Sequence, residues 1–78
     1  MYVYILRTES GQERYYVGLS GDPDVRLAEH NAGKSPHTSK WRPWVLVAKF
    51  WFADEHKAHA FERYLKTGSG RAFCRRHF

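Results

Sequence analysis

The stretch "RYYVGLS", residues 14–20, decides the fold. It alternates Tyr15, Val17 and Leu19 with Tyr16 and Gly18, the period-two pattern of a β-strand with one apolar face. Glycine inside a strand packs nothing and loosens the backbone, so Gly18 marks a bulge or a place where something approaches the main chain closely. Upstream, "YVYILRT", residues 2–8, alternates in the same way, with Val3 and Ile5 opposed to Tyr2, Tyr4 and Leu6. The two segments read as a hairpin. A two-residue turn at Ser10 and Gly11 would set Tyr4 opposite Val17 and send the tyrosines to different faces. A three-residue loop of Glu9, Ser10 and Gly11, with Gly11 left-handed, pairs Thr8 with Gln12 and therefore Tyr4 with Tyr16. The second register is preferred, because it gathers Val3, Ile5, Tyr15, Val17 and Leu19 on one apolar face. It leaves Tyr4, Tyr16 and the bare backbone of Gly18 on the other, where a ligand is expected to sit over Gly18 between two phenols.

Downstream, "GDPDVRLAEHNAGK" offers Asp22 as N-cap, Pro23 at the first helical position and Gly33 as a stop, which outlines a helix of about three turns. "SPHTSKWRP" is a polar loop. "WVLVAKFWF", residues 44–52, is β-branched and aromatic and reads as a third, well-buried strand. "DEHKAHAFERYLKTGSG" starts near Asp54, carries a stripe of Ala58, Phe61 and Leu65, and ends at Gly68, a second helix. The tail "RAFCRRHF" suits a short basic helix with Phe73, Cys74 and Phe78 available to pack. The expected fold is therefore α+β, a small three-stranded sheet with flanking helices in the order ββαβα(α), forming one domain over residues 1–78.

Composition narrows the function classes. A chain of 78 residues with three Trp, five Tyr and five Phe can build one small core, and its aromatic load compensates for the large surface share of so short a chain. The single cysteine, Cys74, excludes an intrachain disulfide framework and favours an intracellular, cytoplasmic setting. No apolar run approaches the length of a membrane span, and "MYVYILRTES" reads as a first strand and not as a leader. Thirteen Lys and Arg against eight Asp and Glu give a net charge of +5, which on a body this size points to a polyanionic partner.

"VYI" at 3–5, "YVG" at 16–18, Arg26 with "AEHN" in the first helix, and "AFERYLKTGSGRAF" together resemble the GIY-YIG nuclease family, across nearly the whole chain. Val3 stands where glycine is typical and Val17 where isoleucine is, and neither touches a reacting group. The resemblance implies hydrolysis of a DNA phosphodiester with one divalent cation, Mg²⁺ or Mn²⁺, and Glu62 as the metal-binding carboxylate. Tyr4, Tyr16, Arg26, His30 and Glu62 are the implied catalytic residues.

Their chemistry suits those roles. Glu62 offers a hard oxygen ligand, and Mg²⁺ takes one or two carboxylates and fills its remaining positions with water and phosphate. Arg26 presents a planar, permanently charged fork for phosphate. Tyr4 is taken as the base or water orienter and Tyr16 as its partner, an assignment that could be exchanged. A phenol of ordinary pKa near 10 is a poor base at neutral pH, so Arg26 or the metal is expected to depress it. His30, four residues after Arg26, shares its stripe and would bond a phosphate oxygen, a phenol or the water. Each residue also has a plainer role: the tyrosines as half-buried strand residues, Arg26 and His30 as a solvated face, Glu62 as the ion-pair partner of Lys66.

DNA binding is assigned to Gly18, to the loop residues Lys34, His37, Lys40, Trp41 and Arg42, and to the basic tail, a mixture of cations and aromatics that follows a phosphate backbone and stacks on splayed bases. Trp41 and Trp44 could equally anchor the loop to the core. Nothing resembles a sequence-reading module, so cleavage is expected to depend on DNA shape or on a partner protein that delivers the domain. The competing readings are a nucleic-acid-binding module that kept the fold but cleaves poorly alone, and a structural domain.

Overall fold

The computed structural model describes residues 1–9 and 14–78. Its elements are β1 (Tyr2–Thr8), β2 (Tyr15–Ser20), α1 (Pro23–Asn31), β3 (Trp44–Trp51), α2 (Glu55–Leu65) and α3 (Gly68–His77). The strands form an antiparallel sheet in the order β2-β1-β3, so the α+β reading with flanking helices holds.

With β1 in the centre, both of its faces are covered. Val3 and Ile5 pack with Val17, and with Ala58, Leu65 and Cys74 from α2 and α3. Tyr4 and Leu6 pack on the other side with Trp44, Tyr16, Leu27 of α1 and Trp41. Val3, Ile5 and Leu6 have no exposed surface. Burial of such a side chain is worth about 1.5–3 kcal/mol, so β1 is the strand around which the core is built.

The hairpin register differs from expectation. Tyr4 lies opposite Gly18 and Leu6 opposite Tyr16. The ladder closes at Thr8 and Arg14: Thr8 N–H donates to the Arg14 carbonyl at 3.0 Å, and Arg14 N–H donates to Thr8 Oγ1 at 3.1 Å. A three-residue loop pairing Thr8 with Gln12 is thereby overturned, and most of the expected turn lies outside the described residues. The displacement is even, so no side chain changes face and both tyrosines still share one. Its physical basis is contact between Tyr4 and Gly18: a Cβ at position 18 would stand 2.5 Å from Tyr4 Cζ. The group that approaches the bare backbone is the protein's own phenol, which leaves no room for the ligand expected over Gly18.

Three capping residues fix the helices. Asp22 accepts from Val25 N–H at 3.3 Å and Asp54 from His56 N–H at 2.8 Å, each satisfying an orphan donor at a helix start. Gly33, expected as the stop after α1, has φ +79°, the left-handed conformation glycine tolerates best. Gly68 does not end α2. It opens α3, capped by Thr67, whose Oγ1 accepts from Gly70 N–H at 3.1 Å. The two helices turn tightly because Gly70 lacks a Cβ, which would run into the Tyr64 carbonyl.

The third strand is also corrected. β3 lies at the sheet edge; Trp44 is buried, but Trp51 is 63% exposed. Between Ile5, paired with Ala48, and Leu6, paired with Leu46, Val47 makes a bulge. A continuous apolar run looks like a doubly covered strand, whereas here it supplies one edge of the core and an exposed end.

Candidate active site and adjoining cleft

On the face that carries Tyr4, α1 crosses the sheet and places Arg26 and His30 one turn apart against it. His30 is wholly buried, and both ring nitrogens are engaged, Nε2 with Tyr4 Oη at 3.1 Å and Nδ1 with Thr38 Oγ1 at 2.8 Å. The Arg26 guanidinium lies close enough to the Tyr4 phenol for each to shift the other's pKa. Which ring nitrogen carries the proton sets whether the phenol donates to His30 Nε2 or accepts from it. Burial, helped by the Arg26 charge, holds the imidazole below its ordinary pKa, which matches a neutral ring with one acceptor and one donor nitrogen.

Burial likewise pushes the Tyr4 phenol above its ordinary pKa, although the nearby Arg26 guanidinium pulls the other way. The expectation that Arg26 would depress this phenol is overturned, because desolvation outweighs the guanidinium. At 1% exposure, Tyr4 has no surface for a water to reach. Tyr16 differs. Its ring packs 4.8 Å from the His30 ring and 6.2 Å from the Tyr4 ring, remains half-buried, and lines an open cleft.

Arg26 also donates to Glu29 Oε1 at 2.5 Å, both side chains being about one-third exposed (39% and 34%). Glu62 stands apart. Its helix packs on the opposite sheet face, and its largely buried carboxylate pairs with Lys66, as its four-residue spacing suggested. Lys66 in turn lines the cleft that contains Tyr16, at the free edge of β2, where the two faces of the sheet meet. The structure thus gathers Tyr4, Tyr16, Arg26 and His30 into one cluster and leaves Glu62 outside it, linked to the cleft through Lys66.

The connection between α1 and β3 divides its labour. Trp44 is an anchor, buried with its Nε1–H donating to the Thr38 carbonyl at 2.9 Å. Trp41 is half-buried beside the Tyr4 cluster and lines the cleft together with His37. Lys34, Lys40 and Arg42 are exposed, with Lys40 Nζ 5.2 Å from the Trp41 ring centroid. Sequence reasoning gave no role to Thr38, Glu29 or Asn31. Asn31 clamps the backbone of Trp44, donating from Nδ2 to its carbonyl at 2.9 Å and accepting its N–H on Oδ1 at 2.7 Å. "AEHN" did contain two of these residues, and a polar run that turns back toward a helix is the pattern in which Thr38 could have been sought.

Residues 1–74 match the model of the GIY-YIG catalytic domain. The chain belongs to the GIY-YIG family. Among GIY-YIG relatives, a UPF0213 protein of Staphylococcus haemolyticus is 36% identical over 69 residues, covering 87% of this chain and 82% of the relative. A UPF0213 protein of Halalkalibacterium halodurans is 35% identical over 71 residues, 90% of this chain and 73% of the relative. The structure-specific endonuclease subunit SLX1 of Meyerozyma guilliermondii is 38% identical over 52 residues, 59% of this chain but 17% of that protein. No solved structure gave a significant match. No helix among the described residues of this GIY-YIG chain is long and apolar enough to cross a membrane.

Proposed function

We propose that this protein is a divalent-metal-dependent endonuclease that hydrolyses DNA phosphodiester bonds by in-line attack of water. The observation that carries the reading is the hydrogen-bonded set Tyr4–His30–Thr38 with the Arg26 charge beside it and Tyr16 packed against it at the mouth of a cationic cleft. A packing scaffold has no need of a buried histidine engaged at both nitrogens beside an arginine. Kinship with an endonuclease subunit supports the same substrate class.

The donor set fits Mg²⁺ or Mn²⁺. Among the described residues no three His, Cys, Asp or Glu gather into a ligand cluster, but one largely buried carboxylate, Glu62, suits an ion that keeps most of its shell as water and phosphate. Such an ion would supply stabilisation of charge on the phosphate and the leaving oxygen. Lys66 would exchange Glu62 for a phosphate oxygen at the cleft. Arg26 would exchange Glu29 for phosphate, gripping it with its planar fork. The burial of Tyr4 favours the exchanged assignment: Tyr16, at the cleft, orients the attacking water, while Tyr4 positions Arg26 and His30 holds Tyr4. A shape-selective substrate and a partner protein that delivers the domain complete the proposal.

Glu62→Gln tests it. The amide keeps shape but loses the charge that holds a dication, so fold and DNA affinity should persist while cleavage falls on the order of a hundredfold or more. The assay pairs circular dichroism and DNA binding with cleavage of branched, flapped, single-stranded and duplex DNA in Mg²⁺, Mn²⁺ or EDTA. Equal cleavage by wild type and variant removes Glu62 from the site. Binding without cleavage by either protein replaces the enzyme with a nucleic-acid-binding module.

A further inference from the structure

The cleft along the outer edge of β2 encloses about 340 Å³. Arg14 and Tyr16 of the edge strand and its lead-in, Trp41 of the loop, Lys66 after α2, and Arg71 and Arg75 of α3 line it. Three arginines and a lysine share this wall, and no Asp or Glu is among its described lining residues. Lys66 is paired with Glu62, but among the described residues no carboxylate pairs with Arg14, Arg71 or Arg75. Arg71 and Arg75 stand four apart on one helix stripe, a like-charge arrangement that costs stability unless an anion lies between them. Arg14 sits over Trp41, its guanidinium carbon 3.5 Å from the ring centroid, so the wall also holds a cation–aromatic platform, and Tyr16 lines the same cleft.

We propose that this cleft binds an unpaired nucleotide of a nucleic-acid strand, its phosphates on Arg71 and Arg75 and its base on the Arg14–Trp41 platform. The bases of a duplex are stacked inside it and cannot reach such a wall, whereas a splayed base stacks on aromatic and guanidinium planes. The volume is at the lower end of small-ligand sites, enough for one nucleotide and too small for a duplex segment. Because Tyr16 belongs to both the cleft and the tyrosine–histidine cluster, the captured nucleotide lies next to the bond to be cut. That last step rests on the nuclease reading; the binding does not.

The test measures fluorescence anisotropy of the full chain in EDTA with a labelled single strand, a blunt duplex of the same sequence, and the duplex carrying a single-stranded flap. Single strand and flap are expected to bind about tenfold or more tightly than the blunt duplex. Replacing Arg71 and Arg75 together with Ala should lower the salt slope for the single strand by about 1.4, since each single-strand phosphate contact contributes about 0.7. Both are exposed, and a thermal melt confirms the fold. Binding should quench tryptophan emission in the wild type and much less in Trp41→Phe. Equal affinity for the blunt duplex overturns the proposal, as does an unchanged slope. So does competition by a free deoxynucleoside monophosphate at concentrations equal to the strand, which would make the cleft a mononucleotide site. A parallel cleavage assay in Mg²⁺ separates the two ideas. Strand preference without cleavage keeps the cleft and removes the enzyme; cleavage of blunt duplex without strand preference does the reverse.

Discussion

Gly18 shows what a single residue can and cannot announce. An interior glycine in a strand signals close approach, and the structure bears that out, yet the approaching group is Tyr4 and not a ligand. The identity was hidden because it depends on register, and register depends on the length of a connection that no side-chain alternation reveals. Gly18→Ala should therefore force the Tyr4 ring from its place and destabilise by about 1–3 kcal/mol, a Tm loss of at least about 4 °C for a domain of this size. Gly21→Ala, where a Cβ would meet nothing within 4 Å, serves as the control in the same calorimetric scan. The two phenols should separate in function as well. Tyr16→Phe is expected to lower kcat by about tenfold or more if its hydroxyl orients the water. Tyr4→Phe should cost about 1 kcal/mol of stability through its lost hydrogen bond and have the smaller effect on kcat. Equal losses of kcat would return Tyr4 to a direct catalytic role.

α1 was legible in nearly every respect, because Asp22, Pro23 and Gly33 act through local backbone geometry and need no knowledge of the rest of the chain. What it packs against was only half legible. Arg26 and His30 share a stripe by spacing alone, but the depth of His30 and its partner Thr38 arise from the way the following connection folds back over the helix. That depth has a titratable consequence. The folded imidazole has a pKa below its unfolded value near 6.5, so below that pH the unfolded chain binds more protons and stability is lost as the solution becomes more acid. Thermal melts between pH 7 and pH 5 should show Tm falling, with a shallower fall in His30→Gln. An identical slope in the variant would move the acid sensitivity to other groups. The α2–α3 boundary was misread for the opposite reason: Gly68 looks like a terminator, while the residue that requires glycine, Gly70, answers to a neighbouring helix.

For the molecule as a whole, net charge of +5 was the most accessible clue and the least specific. It could not tell which cations line a cleft and which stand in solvent, a distinction set by how β2, α2 and α3 converge. The exposed pair Lys40 and Arg42 should follow the DNA backbone from outside the cleft wall. Replacing both with Ala is expected to weaken duplex binding across sequences and reduce the salt slope by about two, read from titrations at several salt concentrations. An unchanged slope would confine the contact surface to the cleft side. The sheet order has a different kind of consequence. β1 is at once the first of the three sheet strands to be synthesised and the middle strand of the finished sheet. A two-stranded hairpin is marginal in water, and β1 finds its second neighbour only when β3, ending at Trp51, has been made. Over that interval of synthesis Val3, Ile5 and Leu6 have no enclosed place to go, so the nascent domain passes through a sticky stage that lasts until β3 and the helices after it arrive to cover β1.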